Sequence, residues 1–112
     1  MSKFTLLKLT CYDQQESSGD EIYFKFSDNG GSGSGKSAVF TGMDAGDVRS
    51  IYGSFNFSGS VKVGMWESDG DHWYDRDDHI MTFSPVNAPV GYSNTLTFSN
   101  SEVNYSLEYI IT

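Results

Sequence analysis

The chain has 112 residues, 38% of them apolar and 15% aromatic, enough for one domain over residues 1–112 with a single core. Its formal charge of −8, with seven Lys and Arg scattered along it, argues against nucleic acid as a partner, since phosphate contact needs clustered cations. The single Cys11 excludes an internal disulfide, and no apolar run reaches membrane-spanning length, so the chain is read as not transmembrane. No basic and apolar leader precedes Phe4, which predicts a soluble protein, cytoplasmic or exported without a visible signal.

Residues 3–12 read as a strand, with Leu7, Leu9 and Cys11 on one face and Phe4 and Leu6 starting the other. Cys11 is expected as a small core residue rather than a nucleophile. Residues 13–19 form a polar turn. Residues 21–26 are a second strand, Ile22, Phe24 and Phe26 on one face, Tyr23 and Lys25 on the other. The Gly/Ser run at 29–35 is flexible by composition. A short strand at 37–41 and a turn at 42–46 follow, and 43–48 is the one place for a helical turn. Residues 49–57 hold one or two short strands that point Ile51, Phe55 and Phe57 inward. Residues 60–66 alternate Val61, Val63 and Met65 against Lys62 and Gly64. A strand at 79–83 comes next, then a loop marked by Pro85 and Pro89, then a strand at 94–98. In the last strand, 102–111, Val103, Tyr105, Leu107, Tyr109 and Ile111 alternate with polar neighbours. No window carries apolar residues at helical spacing over three turns. The pattern predicts an all-β, antiparallel sandwich of seven or eight short strands.

Between the strands at 60–66 and 79–83 lies an acidic loop. It holds Glu67, Asp69, Asp71, Asp75, Asp77 and Asp78, six of the fifteen carboxylates, offset by Arg76 alone. Two carboxylates about 6 Å apart repel by about 3 kcal/mol at an effective dielectric near 20. A loop anchored by buried strands has little room to spread them, and a hard divalent cation removes the repulsion. Calcium is the expected ion, because it takes six to eight oxygens in a flexible shell. The spacing is not that of an EF-hand, since the sharp-turn Gly after Asp69 and Asp71 is replaced by Tyr74. A single loop rarely surrounds the ion, so a partner loop with its own acids is expected. Asp13, Glu16 and Asp20, between the first two strands, fit that role.

Two segments resemble a known family. Leu9-Thr10-Cys11-Tyr12-Asp13, followed by Ser18-Gly19-Asp20-Glu21-Ile22-Tyr23-Phe24-Lys25-Phe26, is similar to the first calcium loop of the calcium-dependent lipid-binding domain of synaptotagmin and protein kinase C, the C2 domain. Val61-Lys62-Val63-Gly64-Met65-Trp66-Glu67-Ser68-Asp69, with Asp77-Asp78-His79-Ile80, resembles that family's third loop. The resemblance implies an eight-stranded Greek-key β-sandwich. It also implies Asp13 and Asp20 as first-loop ligands, joined by Glu67, Asp69 and Asp77 or Asp78. It departs at Glu21, where the family usually has Pro, at Glu67, where it has Asp, and at Met81, where it has Gly.

Other motifs point elsewhere. Gly30-Gly31-Ser32-Gly33-Ser34-Gly35-Lys36-Ser37 satisfies the phosphate-loop pattern GxxxxGKS, the nucleotide-binding alternative. That mechanism needs a helix directly behind Lys36 and Ser37, and Ala38-Val39-Phe40 is strand-like instead. His72 and His79 invite zinc, but oxygens dominate around them. A glycosidase needs two acids across a cleft, one in an apolar pocket, which a cluster of six acids does not resemble. No Ser/His/Asp order or activated Cys is present, so the chain is not read as an enzyme. The expected function is a calcium-binding, non-catalytic module. It docks to phospholipid headgroups or glycans through the ion and the His72-Trp73-Tyr74 tip. The rival is a structural or assembly protein in which calcium, if any, only stiffens the loops.

Overall fold

The apolar–polar alternation is realised as ten strands in two antiparallel sheets in a computed structural model, which describes residues 2–14, 19–28, 33–68, 77–86 and 89–112. In chain order they are β1 (Ser2–Asp13), β2 (Asp20–Asp28), β3 (Ser34–Lys36), β4 (Phe40–Met43), β5 (Val48–Ser50), β6 (Ser54–Phe57), β7 (Val61–Glu67), β8 (Asp78–Val86), β9 (Ser93–Ser99) and β10 (Asn104–Ile111). The first sheet runs β5-β1-β10-β9, and β6 lies beside β5 on the same edge of β1. The second runs β3-β2-β7-β8, with β4 beside β3 along β2. Ten segments therefore fill eight positions, four in each sheet. The eight-stranded antiparallel sandwich holds, with one edge strand of each sheet broken in two.

The break in the first sheet corrects the expected faces of β1. Its register against β10 shifts between Leu6 and Lys8, so Leu7 is an extra residue. Beyond such a bulge the inward set changes parity. Phe4, Leu6, Leu9 and Cys11 are all buried, on one face, and Leu7 is only half-buried. The edge answers the bulge: the Ile51 N–H donates to the Leu7 carbonyl (3.1 Å), and the Leu6 N–H to the Gly53 carbonyl (2.8 Å). These bonds replace ladder pairing where β5 stops and β6 begins.

On the other sheet, the strand expected at 37–41 is interrupted. The Phe24 N–H donates to the Ser37 hydroxyl (2.9 Å), and the Ser37 N–H donates to the Phe24 carbonyl (2.8 Å). Strand structure resumes at Phe40 and runs through Met43, into the region read as a turn. No helical turn forms at 43–48. Asp44 and Asp47 instead close a tight turn, with Asp47 N–H to Asp44 carbonyl at 2.9 Å and Gly46 at φ +94°. Another departure is β8, which continues through Pro85 to Val86 where a loop was expected. Proline lacks the N–H needed inside a sheet, but β8 is an edge strand, where that loss is tolerated.

The core fills the space between the sheets. Phe4 stacks on Tyr109 (4.9 Å between centroids), and Phe24 meets Phe98 edge-on (5.7 Å). Each such side chain contributes about 1.5–3 kcal/mol by leaving water. Among the described residues no helix is long and apolar enough to cross a membrane.

Candidate functional site

Strand direction decides which loops meet. β2 begins at Asp20 and pairs antiparallel with β7, setting Ile22 opposite Glu67. The β1–β2 and β7–β8 connections therefore leave the sandwich at the same end, as the two-loop expectation requires. The turn between β4 and β5 emerges there too, because Met43 pairs with Asp20 and Val48 with Thr10. Hydrogen bonds clasp all three. Ser68 N–H donates to the Glu21 carbonyl (2.7 Å), and Glu21 N–H to Glu67 Oε2 (3.1 Å). Gln14 donates through Nε2 to Asp44 Oδ1 (2.9 Å) and accepts from Ala45 N–H (2.5 Å). A Cβ on Gly19 would stand 3.0 Å from Gly42 Cα and 3.2 Å from Asp44 Oδ1, and Gly19 itself sits at φ +94°. Glycine is what lets the β1–β2 connection lie against the end of β4 and the β4–β5 turn.

The predicted ligands divide into two sets at this end. Asp20 and Glu67 are fully buried, at 0% exposure. Asp20 Oδ2 accepts from the Tyr105 hydroxyl (2.6 Å), and Glu67 holds the Glu21 backbone as above. One oxygen of each carboxylate is thus held by the protein, Asp20 Oδ2 and Glu67 Oε2. Asp13 and Asp78 are exposed, and Asp77 is half-buried, accepting from the Tyr23 hydroxyl at 2.5 Å. Asp69, Asp71, His72, Trp73, Tyr74 and Asp75, like Glu16, lie outside the described residues. Among the described residues no group of three or more His, Cys, Asp or Glu is placed to hold a metal ion. Asp44 and Asp47 were missed as members of this end, although a Gly-bounded acidic turn was visible in the sequence. Asp47 lies 3.7 Å from Arg49, whose guanidinium also donates to the carbonyls of Thr41 and Gly42.

Behind Asp20 the phenol of Tyr105 is pushed well above the ordinary tyrosine value, first by burial and then by its hydrogen bond to Asp20. The Cys11 thiol beside it is raised too, mainly by burial, which keeps it protonated and inert. Tyr23 is shifted the same way, by burial and then by Asp77. At the opposite end Asp28 shows an acid with a purely architectural task. It accepts from Ser58 N–H (2.8 Å), Ser58 hydroxyl (2.9 Å) and Gly59 N–H (3.2 Å), and so closes the β6–β7 turn.

The second feature was not foreseen. A groove of about 550 Å³ lies on the outer face of the second sheet, lined by Lys25, Lys36, Lys62, Gly64, Trp66 and Thr82 among others. Three of the seven cations of an acidic chain meet there. Lys25 and Lys36 are direct partners across β2 and β3, and Lys62 faces Ser27 across β7 and β2. Like charges directly opposite one another are destabilising. Two aromatic rings offset the cost: Lys25 Nζ lies 4.1 Å from the Trp66 ring centre, and Lys36 Nζ 4.6 Å from that of Tyr23. The groove has a floor because residue 64 lacks a side chain; a Cβ there would come within 2.9 Å of Thr82 Oγ1. His79 packs on Trp66 (4.7 Å) and its Nε2 lies in hydrogen-bonding contact with Thr82 Oγ1 (2.6 Å). The phosphate-loop alternative does not survive, since Ser34–Lys36 is strand β3 and Ser37 bonds β2 instead of opening a helix.

No family model and no curated protein matches the chain. Solved structures do. One described as "CC2D1B coordinates ESRCT-III activity during the mitotic reformation of the nuclear envelope" superposes with a TM-score of 0.65 at 14% identity, over 98% of this chain and 53% of that one. Human GIVD cytosolic phospholipase A2, in complex with methyl gamma-linolenyl fluorophosphonate inhibitor and terbium chloride, matches at 0.65 and 13%, over 98% of this chain and 17% of that one. The same human enzyme without a named ligand matches at 0.59 and 14%. The chain thus spans about half of the first protein's length and about a sixth of the second's. Likeness at this identity shows the fold, a C2-like β-sandwich.

Proposed function

We propose that this chain is a non-catalytic module that docks on phosphate-bearing lipid headgroups and does so in response to calcium. The observation that carries the reading is a chain of contacts joining the acidic end to the lysine groove. Asp77 accepts from the buried Tyr23, Tyr23 stacks on Trp66, and Lys25 and Lys36 stand over these two rings in a groove shared with Lys62. The ammonium groups standing over aromatic rings are positioned before a ligand arrives, so little order is lost on binding. Each lysine near an anionic bilayer is worth about 1 kcal/mol.

The acids at the neighbouring end are hard oxygen donors, the chemistry calcium prefers. Asp69, Asp71 and Asp75, with Asp77 and Asp78 beside them in the chain, would hold the ion. Asp20 and Glu67 fix the loops from inside. Bound calcium would cancel carboxylate charge that otherwise repels an anionic surface. That the phospholipase name refers to phospholipid, and that its crystal held terbium, a hard oxygen-seeking cation, supports the same assignment. His72, Trp73 and Tyr74 would add aromatic contact with headgroups.

Sedimentation with phosphatidylserine vesicles, in calcium and then in chelator, tests this. The chain should pellet with vesicles in calcium and less in chelator, and Asp69→Ala with Asp77→Ala should erase the difference. Absence of pelleting in both conditions would overturn the reading.

A further inference from the structure

A sandwich of two sheets has four edges, and three of these carry a device that discourages strand addition. The β3/β4 edge and the β5/β6 edge are each broken into pieces of three and four residues. The β8 edge contains Pro85 and register shifts against β7. The fourth edge, β9, is seven residues without a break, a proline or a charge: Ser93-Asn94-Thr95-Leu96-Thr97-Phe98-Ser99. It pairs with β10 on one side and ends the sheet on the other.

The surroundings of β9 are as unusual as the strand. From His79 to Ser101 the sequence holds no Asp, Glu, Lys or Arg, although a fifth of the whole chain is charged. That span contains β9 and all of β8 but its first residue, Asp78, and the two strands form one flank of the sandwich, next to each other on the two sheets. Apolar surface remains uncovered along it. Leu96 and Phe83 are only partly buried against the core, while Val90 and Tyr92, just before β9, are 65% and 69% exposed.

We propose that this flank is a dimer interface, in which β9 pairs antiparallel with β9 of a second copy and continues the first sheet across a two-fold axis. The occupant follows from the strand's own sequence. With the axis at Leu96 all seven residues pair: Ser93 with Ser99, Asn94 with Phe98, Thr95 with Thr97, and Leu96 with itself. On the exposed face hydroxyl residues meet hydroxyl residues, a favourable cross-strand pairing, and on the side of the core Leu96 meets its own copy at the axis while Asn94 lies opposite the buried Phe98. A two-fold contact requires that self-complementarity. Charge selects the same flank. Two copies of a chain with charge −8 repel, and on this flank they meet without apposing like charges.

Sedimentation equilibrium of the full chain, at low and at high salt, tests the proposal. A dimer is expected that tightens with salt, because screening removes the general repulsion while the interface has no charge to lose. Thr95→Lys with Thr97→Lys places lysines opposite one another on exposed positions, and it should give monomer with an unchanged melting temperature. Leu96→Cys should form a disulfide-linked dimer under mild oxidation, whereas Asn94→Cys should not. A monomeric wild type whose Leu96→Cys variant fails to cross-link overturns the proposal and leaves the edge to a strand from another protein. A dimer that dissolves in salt, or survives the double lysine variant, overturns it equally.

Discussion

The outer faces of the two sheets start from the same rule and end differently. Both belong to four-position antiparallel sheets whose inner residues are apolar. On the first sheet the outward rows are Thr10, Ser106 and Thr97, then Lys8, Glu108 and Thr95, so Lys8 sits opposite a carboxylate, while Lys3 stands opposite the uncharged Asn56. On the second sheet Lys25 sits opposite Lys36, with Lys62 on the next strand and Trp66 and Tyr23 beneath the ammonium groups. One face apposes opposite charges and the other apposes like ones. Like charges directly opposite one another cost stability, and the proposed docking would give the apposed lysines an anionic partner.

The largest expected effect removes the lysines of the second face. Lys25→Ala, Lys36→Ala and Lys62→Ala together should cost about 3 kcal/mol of binding to anionic vesicles, roughly a hundredfold, measured by partition. Lys8→Ala on the other face should leave partition unchanged. Equal losses from both faces would dissolve the contrast into net charge.

The shared interior should be indifferent to the faces. Tyr105→Phe removes the hydroxyl that donates to buried Asp20 and should cost roughly 1–3 kcal/mol in urea unfolding, with vesicle binding retained. It should also flatten the alkaline limb of stability. The folded phenol is held above its ordinary value of 10, so at high pH the folded state keeps a proton the unfolded chain has lost. Its stabilisation is complete below pH 10 and falls above it, by about 1.4 kcal/mol per pH unit. Melting curves across that range, wild type against variant, read the difference.

Smaller effects sharpen the contrast. Gly64→Ala should cost about 1 kcal/mol, because its Cβ would meet Thr82 Oγ1 at 2.9 Å, and it should weaken anion binding by filling the groove. Smallest is a mirrored pair of charge reversals. Lys36→Glu relieves the Lys25 repulsion and should stabilise by about 0.5 kcal/mol while impairing binding. Glu108→Lys, opposite Lys8, should destabilise by about as much and leave binding alone. Chemical denaturation separates the signs.

Much of the frame was legible because alternation is local. Val61, Val63 and Met65, or Tyr105, Leu107, Tyr109 and Ile111, declare their face from neighbours two residues away, and all are buried. The approach of the β1–β2 and β7–β8 connections was also legible, since their acids stand at strand ends. Leu7 was misplaced because a bulge reverses parity without any sign in composition. Asp20 and Glu67 read as ligands alongside Asp13 and Asp78. What separates them is burial against Tyr105 and Glu21, residues distant in sequence.

From the sequence alone came the all-β class, the strand order along the chain, the inert Cys11 and the acidic end. Each depends on spacing within one segment. The tertiary structure decided which acids face inward and where β5 parts from β6. It also decided that Lys25, Lys36 and Lys62 share one groove, and that β9 is left as an unbroken edge. Those outcomes depend on register between strands, and register is fixed by the summed packing of two sheets, which no single segment encodes.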